Sequence, residues 1–284
     1  MAIANVNGVS LFYEEKGTGA PVVFVHGTIS DPRAWNAQVD ALSSKYHTVV
    51  YSRRYAHPNA RQGDLMDSTV QNNAADLEAL LRQLGVAPAH IVGHSYGGHI
   101  AAFLALEHPE LLKSLTLVNA AVATLVAKDT GVVSTLSILF RSPGIVPSVM
   151  RFMNGLRTTI KEVDAGDPSA ATRIFIPALQ DGRTDLPAKP GDFDKMVLDN
   201  ARTLKEVTTP LPPITRAEAR RITTPTLVIW GEHSAPWDTK ISRTLVESIP
   251  GSEAAEIPGA GHFCLGEKPK EVNEALMNFL QKHR

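Results

Sequence analysis

The residues with the clearest chemical potential stand at 93–97, where Gly93-His94-Ser95-Tyr96-Gly97 spells Gly-x-Ser-x-Gly. A short apolar run (Ile91-Val92) leads into the pattern, and a helical pattern opens at His99. Strand, sharp turn and helix form the context in which a serine is held exposed as a nucleophile. The turn forces the serine into a strained backbone conformation, so Gly93 and Gly97 must lack a Cβ that would collide across it. A serine hydroxyl stays inert until an adjacent base takes its proton. The five-residue pattern also arises in glycine-rich turns with an incidental serine, so its meaning rests on the elements around it.

Those elements alternate. Ile3–Val6 and Val9–Glu15 read as a hairpin turned at Asn7-Gly8, the preferred two-residue hairpin turn. Val22–Val25 is a continuous apolar run, as a strand buried on both faces of a parallel sheet requires, and it ends in His26-Gly27-Thr28. Ala34–Leu42 has apolar residues at helical spacing after Asp31-Pro32. Thr48–Tyr51 is the next strand. Ser68–Leu84 is an amphipathic helix stopped by Gly85. The strand and helix around Ser95 follow, then Ser114–Val118. Repeated β–α alternation predicts an α/β fold with a mostly parallel central sheet flanked by helices.

Alternation stops between about 121 and 213. Helical patterns at Val132–Phe140, Ile145–Ile160, Ser169–Leu179 and Asp192–Val207 are separated by Pro and Gly, with proline-rich joints at Pro187/Pro190 and Pro210/Pro212/Pro213. A helical stretch of this kind predicts an inserted cap over 121–213 on a core of 1–120 and 214–284. The cap carries apolar residues (Leu136, Ile138, Leu139, Phe140, Val149, Met150, Phe152, Met153), which either pack it onto the sheet or line a pocket. The series resumes at Thr226–Trp230, with a helix over 238–249, a short strand Ala255–Ile257 and a closing helix Pro269–Lys282.

Composition narrows the function classes. The chain has 284 residues, enough for one large α/β domain or a core plus cap. Its 43% hydrophobic and 20% charged content is that of a folded chain. A formal net charge of −1 with no basic block argues against nucleic-acid binding. The apolar stretches are far short of a membrane span, and the N-terminus lacks a charged start followed by an apolar core, so a cytoplasmic protein is expected. A single cysteine, Cys264, excludes an internal disulfide framework. No metal-ligand cluster or phosphate-cradling loop appears, so no cofactor is expected.

Taken together, the chain resembles the α/β-hydrolase fold family over nearly its whole length. The landmarks that carry the resemblance are His26-Gly27, the Gly93–Gly97 turn, Gly231-Glu232, and Gly259-Ala260-Gly261-His262 followed by Glu267-Lys268-Pro269. The resemblance implies that Ser95 is the nucleophile and His262 its base. It implies an oxyanion hole made by the backbone N–H groups of Thr28 and Tyr96. His26 is expected to be a structural hydrogen-bonding residue, and His94 to shape the turn.

The family pattern breaks at the third triad member. Its usual place, three residues after Gly231, holds Ser234, and the alternative place after Val118 holds Asn119. Three explanations compete. Asp238 reaches the histidine from four residues further on, although it is also read as the N-cap of the helix it opens. Asn119 occupies the acid position and fixes the ring tautomer through its amide oxygen, the reading preferred here. Or the acid is missing. A second departure is Tyr51-Ser52-Arg53-Arg54, where two arginines either bind a substrate carboxylate or form structural salt bridges, with salt bridges preferred.

The function expected is hydrolysis of a small hydrophobic carboxylic ester or lactone through an acyl–Ser95 intermediate, with a weakened or atypical third triad member. A lyase, isomerase or cyclase using the same pocket and His262 is the alternative that the missing acid motivates. A non-catalytic ligand-binding protein is a third, and an intact serine and histidine count against it.

Overall fold

In the computed structural model, residues 2–59, 65–122 and 143–283 are described. They build an eight-stranded sheet in the order β1-β2-β4-β3-β5-β6-β7-β8. The strands are β1 (Ala2–Val6), β2 (Val9–Lys16), β3 (Pro21–Val25), β4 (His47–Tyr51), β5 (Ala89–His94), β6 (Leu112–Val118), β7 (Thr226–Gly231) and β8 (Glu253–Ile257). β1 and β2 form the antiparallel hairpin, with Asn7 and Gly8 both at positive φ, as the twist-matched two-residue turn requires. From β4 to β8 every pairing is parallel.

The central strands are buried from end to end: β5 and β7 show no exposed position. That is why they read as unbroken apolar runs. Helices cover both faces. On one side α2 (Val70–Leu84) and α3 (Tyr96–Glu107) pack on the core that includes Leu77, Leu81, Ile91, Ile100 and Leu117. On the other, α1 (Asn36–Leu42) and the C-terminal helix Pro269–Lys282 enclose Phe24, Val92, Ile229, Leu276 and Phe279. Thr69 caps α2 through the Asn72 N–H, and Gly85 closes it in the left-handed conformation.

Between β6 and β7 the regular elements among the described residues are helices. α4 (Val146–Asp164) and α5 (Pro168–Leu179) pack on each other, and α6 (Phe193–Asp199) is followed by a 3-10 stretch, Ala201–Thr208. The single helix expected over Asp192–Val207 is broken at Asn200. Its side chain donates to Asp31 Oδ2 at 2.6 Å and accepts from the His57 N–H at 2.7 Å, a tertiary pull that no local pattern encodes. Phe175, Leu179, Phe193, Met196 and Leu204 join Ile29 of the core in one buried cluster. Phe152 stacks on Trp237 with ring centroids 4.6 Å apart, Val149 is half-buried, and Met150 and Met153 are exposed. The helix expected at Val132–Phe140, with Leu136, Ile138, Leu139 and Phe140, lies outside the described residues. Among the described residues no helix is long and apolar enough to cross a membrane.

Candidate active site

The site is assembled at the C-terminal ends of β3, β5, β6 and β7. β5 runs straight into Ser95, and α3 starts at Tyr96. Ser95 has φ 53° and ψ −120°, a conformation that L-residues seldom adopt. The flanking glycines permit it. A Cβ on Gly93 would lie 2.5 Å from the Gly97 carbonyl oxygen, and one on Gly97 would run into the carbonyls of Val25 and His26. Backbone bonds from Ser95 N–H to the Val118 carbonyl and from Ala121 N–H to the Ser95 carbonyl tie the turn to the end of β6.

His262 arrives on the loop after β8. Its Nε2 lies 3.1 Å from Ser95 Oγ, and its Nδ1 lies 2.7 Å from Asp238 Oδ2. With Nδ1–H donated to the carboxylate, Nε2 is left as the acceptor of the serine proton. Both His262 and Asp238 are buried. The histidine loop is held from two sides. Glu267 Oε2 accepts the Gly261 N–H at 2.6 Å, and His233 N–H donates to the Ala260 carbonyl. Burial pushes the Glu267 carboxyl up from its ordinary range.

Asp238, rather than Asn119, meets the histidine. The sequence favours Asn119 for the acid position and an N-cap role for Asp238 over its reaching the histidine, and the geometry differs on both. The helix α8 (Pro236–Ser248, following α7, Arg216–Ala219) begins two residues earlier than expected, with Pro236 at its first position and Ala235 as N-cap. Asp238 therefore sits in the first turn of α8, its side chain turned to the ring. Pro236 was the available signal, since proline favours the first helical position. Asn119, at the end of β6 with φ 41°, donates from Nδ2 to Asp238 Oδ2 and to Ser234 Oγ, each at 2.8 Å, and Cys264 Sγ–H donates to its Oδ1 at 3.5 Å. Asn119 and Ser234, occupants of the two expected acid positions, thus gather around the carboxylate that does contact His262. Asp238 Oδ1 is buried without a hydrogen-bond partner among the described residues, and both the His262 and the Asn119 contacts fall on Oδ2.

The oxyanion candidates flank Ser95. Tyr96 is the first residue of α3, so its N–H has no acceptor within the helix. Thr28 follows β3, and Gly27 beside it packs so closely that a Cβ there would lie 3.0 Å from Ser95 Cβ. His26 Nδ1–H donates to the Gly27 carbonyl at 2.9 Å, and its Nε2 accepts the Arg53 N–H at 3.0 Å. It is structural, and burial together with Arg53 lowers its pKa well below the ordinary value. His94 Nε2–H donates to the His262 carbonyl at 3.0 Å, and burial, then the neighbouring His262, push its pKa down to about 3. The arginines are ion-paired: Arg53 with Glu206 at 2.7 Å, and Arg54 with Asp76 at 2.8 Å and Asp67 at 2.7 Å. A cleft beside Thr28 and His94 is lined by Ile29, Phe193, Met196 and Phe263, with Lys189 at its edge.

A parallel sheet with an antiparallel hairpin, a strained serine after β5 and a histidine after β8 define the α/β-hydrolase class. The family model described as the alpha/beta hydrolase family matches residues 22–275, and the chain belongs to that family. Among its relatives is the "Putative non-heme bromoperoxidase BpoC" of Mycobacterium tuberculosis, 29% identical, covering 95% of this chain and 97% of that protein. Another is the "Putative carbamate hydrolase RutD" of Azorhizobium caulinodans, 26% identical over 98% of both chains. Of solved structures, an esterase from Exiguobacterium antarcticum shares the fold with a TM-score of 0.78 at 18% identity, over 98% of each chain.

Proposed function

We propose that this chain is a serine hydrolase of small hydrophobic carboxylic esters or lactones, acting through an acyl–Ser95 intermediate. The observation that carries the proposal is the line Ser95 Oγ–His262 Nε2 at 3.1 Å and His262 Nδ1–Asp238 Oδ2 at 2.7 Å, buried at its Asp238 end. Ser95 Oγ attacks the substrate carbonyl carbon as His262 Nε2 takes its proton. The imidazolium is stabilised by Asp238, and the oxyanion is met by the N–H groups of Thr28 and Tyr96. Collapse breaks the bond to the alkoxy oxygen, which leaves with the proton from His262. Water, deprotonated by the same nitrogen, then releases the acid and restores Ser95.

The segment 121–213 acts as a cap in this reading. Its support is the apolar cluster of Phe175, Phe193, Met196 and Leu204 with Ile29, which carries helical residues onto the loop beside the oxyanion hole. The apolar cleft next to Thr28 favours a hydrophobic substrate. With a carboxylate on His262, the motive for a lyase or cyclase disappears.

Incubation with a fluorophosphonate followed by peptide mass spectrometry tests the proposal. One adduct on Ser95, absent in Ser95→Ala and in His262→Ala, is expected. An unlabelled Ser95 in the folded protein contradicts the acyl-enzyme mechanism.

A further inference from the structure

The buried ion pair between Arg53 and Glu206 touches the oxyanion loop at several points. Both side chains are about 1% exposed, and their contacts are bidentate, at 2.7 and 3.0 Å. Arg53 also donates from Nη2 to the Gly27 carbonyl at 3.0 Å and from Nε to the His26 carbonyl at 2.9 Å. The Gly27 carbonyl belongs to the same peptide unit as the Thr28 N–H. In a planar trans peptide the two groups point in opposite directions. Clamping the carbonyl between Arg53 and His26 Nδ1 therefore fixes where the Thr28 N–H points, and the positive charge on the oxygen side polarises that N–H toward stronger donation.

Glu206 supplies the other half. Its Oε1 accepts the Thr28 hydroxyl at 2.8 Å, and its Oε2 accepts Ser68 Oγ–H at 3.1 Å. From the same 3-10 stretch, Thr203 Oγ1 accepts the Ile29 N–H at 2.9 Å, holding a residue whose φ is 53°. Arg53 further lies over the ring of Tyr96, 5.1 Å from its centroid, and Tyr96 OH donates to the Ser68 carbonyl at 3.1 Å. The two residues assigned to the oxyanion hole are thus both gripped by one buried charge pair. Half of that pair comes from the helical segment between β6 and β7.

We infer that Arg53 and Glu206 are positioning residues that aim the Thr28 N–H, so that seating of the 201–208 segment on the core sets the oxyanion hole. The inference rests on the acyl–Ser95 reading. Removing both charges avoids leaving either one buried and unpaired, while the His26 and Gly27 carbonyls and the Thr28 and Ser68 hydroxyls each lose one partner. The paired variant Arg53→Met/Glu206→Leu is therefore expected to fold but to melt below the wild type. Its kcat on a short-chain p-nitrophenyl ester, per Ser95 titrated with fluorophosphonate, is expected to fall by about tenfold or more, with KM within about twofold; complete loss of one oxyanion donor costs about 10²–10³. Inhibition by a trifluoromethyl ketone, which mimics the tetrahedral oxyanion, should weaken by the same factor as kcat.

Glu206→Gln, which removes the charge facing Arg53, and Thr28→Val, which removes the hydroxyl that Glu206 accepts, keep the shapes and provide the same readout if the paired variant does not fold. Unchanged kcat per labelled serine with unchanged ketone inhibition in these variants overturns the inference and leaves the acyl–Ser95 reading standing. Absence of a Ser95 adduct in the wild type overturns both.

Discussion

The amide of Asn119 meets Asp238, at 2.8 Å, and not the histidine that Asp238 contacts. In the proposed mechanism Asn119 thus anchors the carboxylate that serves as the acid. Removing the amide in Asn119→Ala leaves Asp238 with His262 as its remaining partner among these contacts, and activity is expected to fall by roughly tenfold. Asn119→Asp should be more damaging, since two carboxylates at that separation cannot both ionise. Steady-state kinetics normalised to labelled Ser95 checks the order: wild type, then Ala, then Asp. Equal or higher activity in Asn119→Asp would show that position 119, not 238, is where the carboxylate is wanted.

Ser95 holds φ 53°, and a glycine would occupy that region without penalty. Ser95→Gly is expected to be more stable than Ser95→Ala by about 1 kcal/mol, and inactive. Urea denaturation of the two variants provides the comparison. Equal midpoints would mean that the turn stores no strain at this residue.

Arg54 makes two bonds to the buried carboxylate of Asp76 and none to the triad. Arg54→Met leaves that carboxylate without a counter-charge, though still accepting from the Asn7 amide, at an expected cost of about 3–5 kcal/mol. KM of the remaining folded enzyme should be unchanged. A raised KM with normal stability would instead make Arg54 a substrate contact.

Several buried histidines are held neutral. Burial pushes His99 down to about 4, against the pull of the Ala121 and Pro212 carbonyls, and His94 down to about 3. The unfolded chain, with histidines near 6.5, binds more protons below that pH, so stability is full above about 6.5 and falls as pH drops toward 4. Each such histidine contributes up to about 1.4 kcal/mol per pH unit in that window. His99→Gln should make the decline in denaturation midpoint between pH 6.5 and 4.5 shallower by about one proton. An unchanged slope would show that His99 takes up its proton in the folded state.

Much of this was legible in the residues themselves. Asn7-Gly8, Gly85 and Pro269 marked a hairpin turn, a helix stop and a helix start because their cues are local. Ser95 and His262 stand out in the sequence because the turn and the loop that carry them need glycines beside them. Asp238 was misassigned because helix register decides its role, and the register turns on Pro236 two residues before it. Glu206 was not singled out at all. Nothing in its neighbourhood indicates that it pairs with Arg53, 153 positions away in sequence. The break at Asn200 was hidden for the same reason, its partners Asp31 and His57 being far off along the chain.

In the proposed mechanism Asp238 is the carboxylate that activates His262 and, through it, Ser95. The rate of fluorophosphonate labelling at Ser95, measured side by side for the wild type, Asp238→Asn and Asn119→Ala, tests it most directly. Loss of a triad carboxylate costs about four orders of magnitude. Asp238→Asn is therefore predicted to label slower by roughly that factor and Asn119→Ala by only about tenfold. Labelling of Asp238→Asn at the wild-type rate would contradict the assignment.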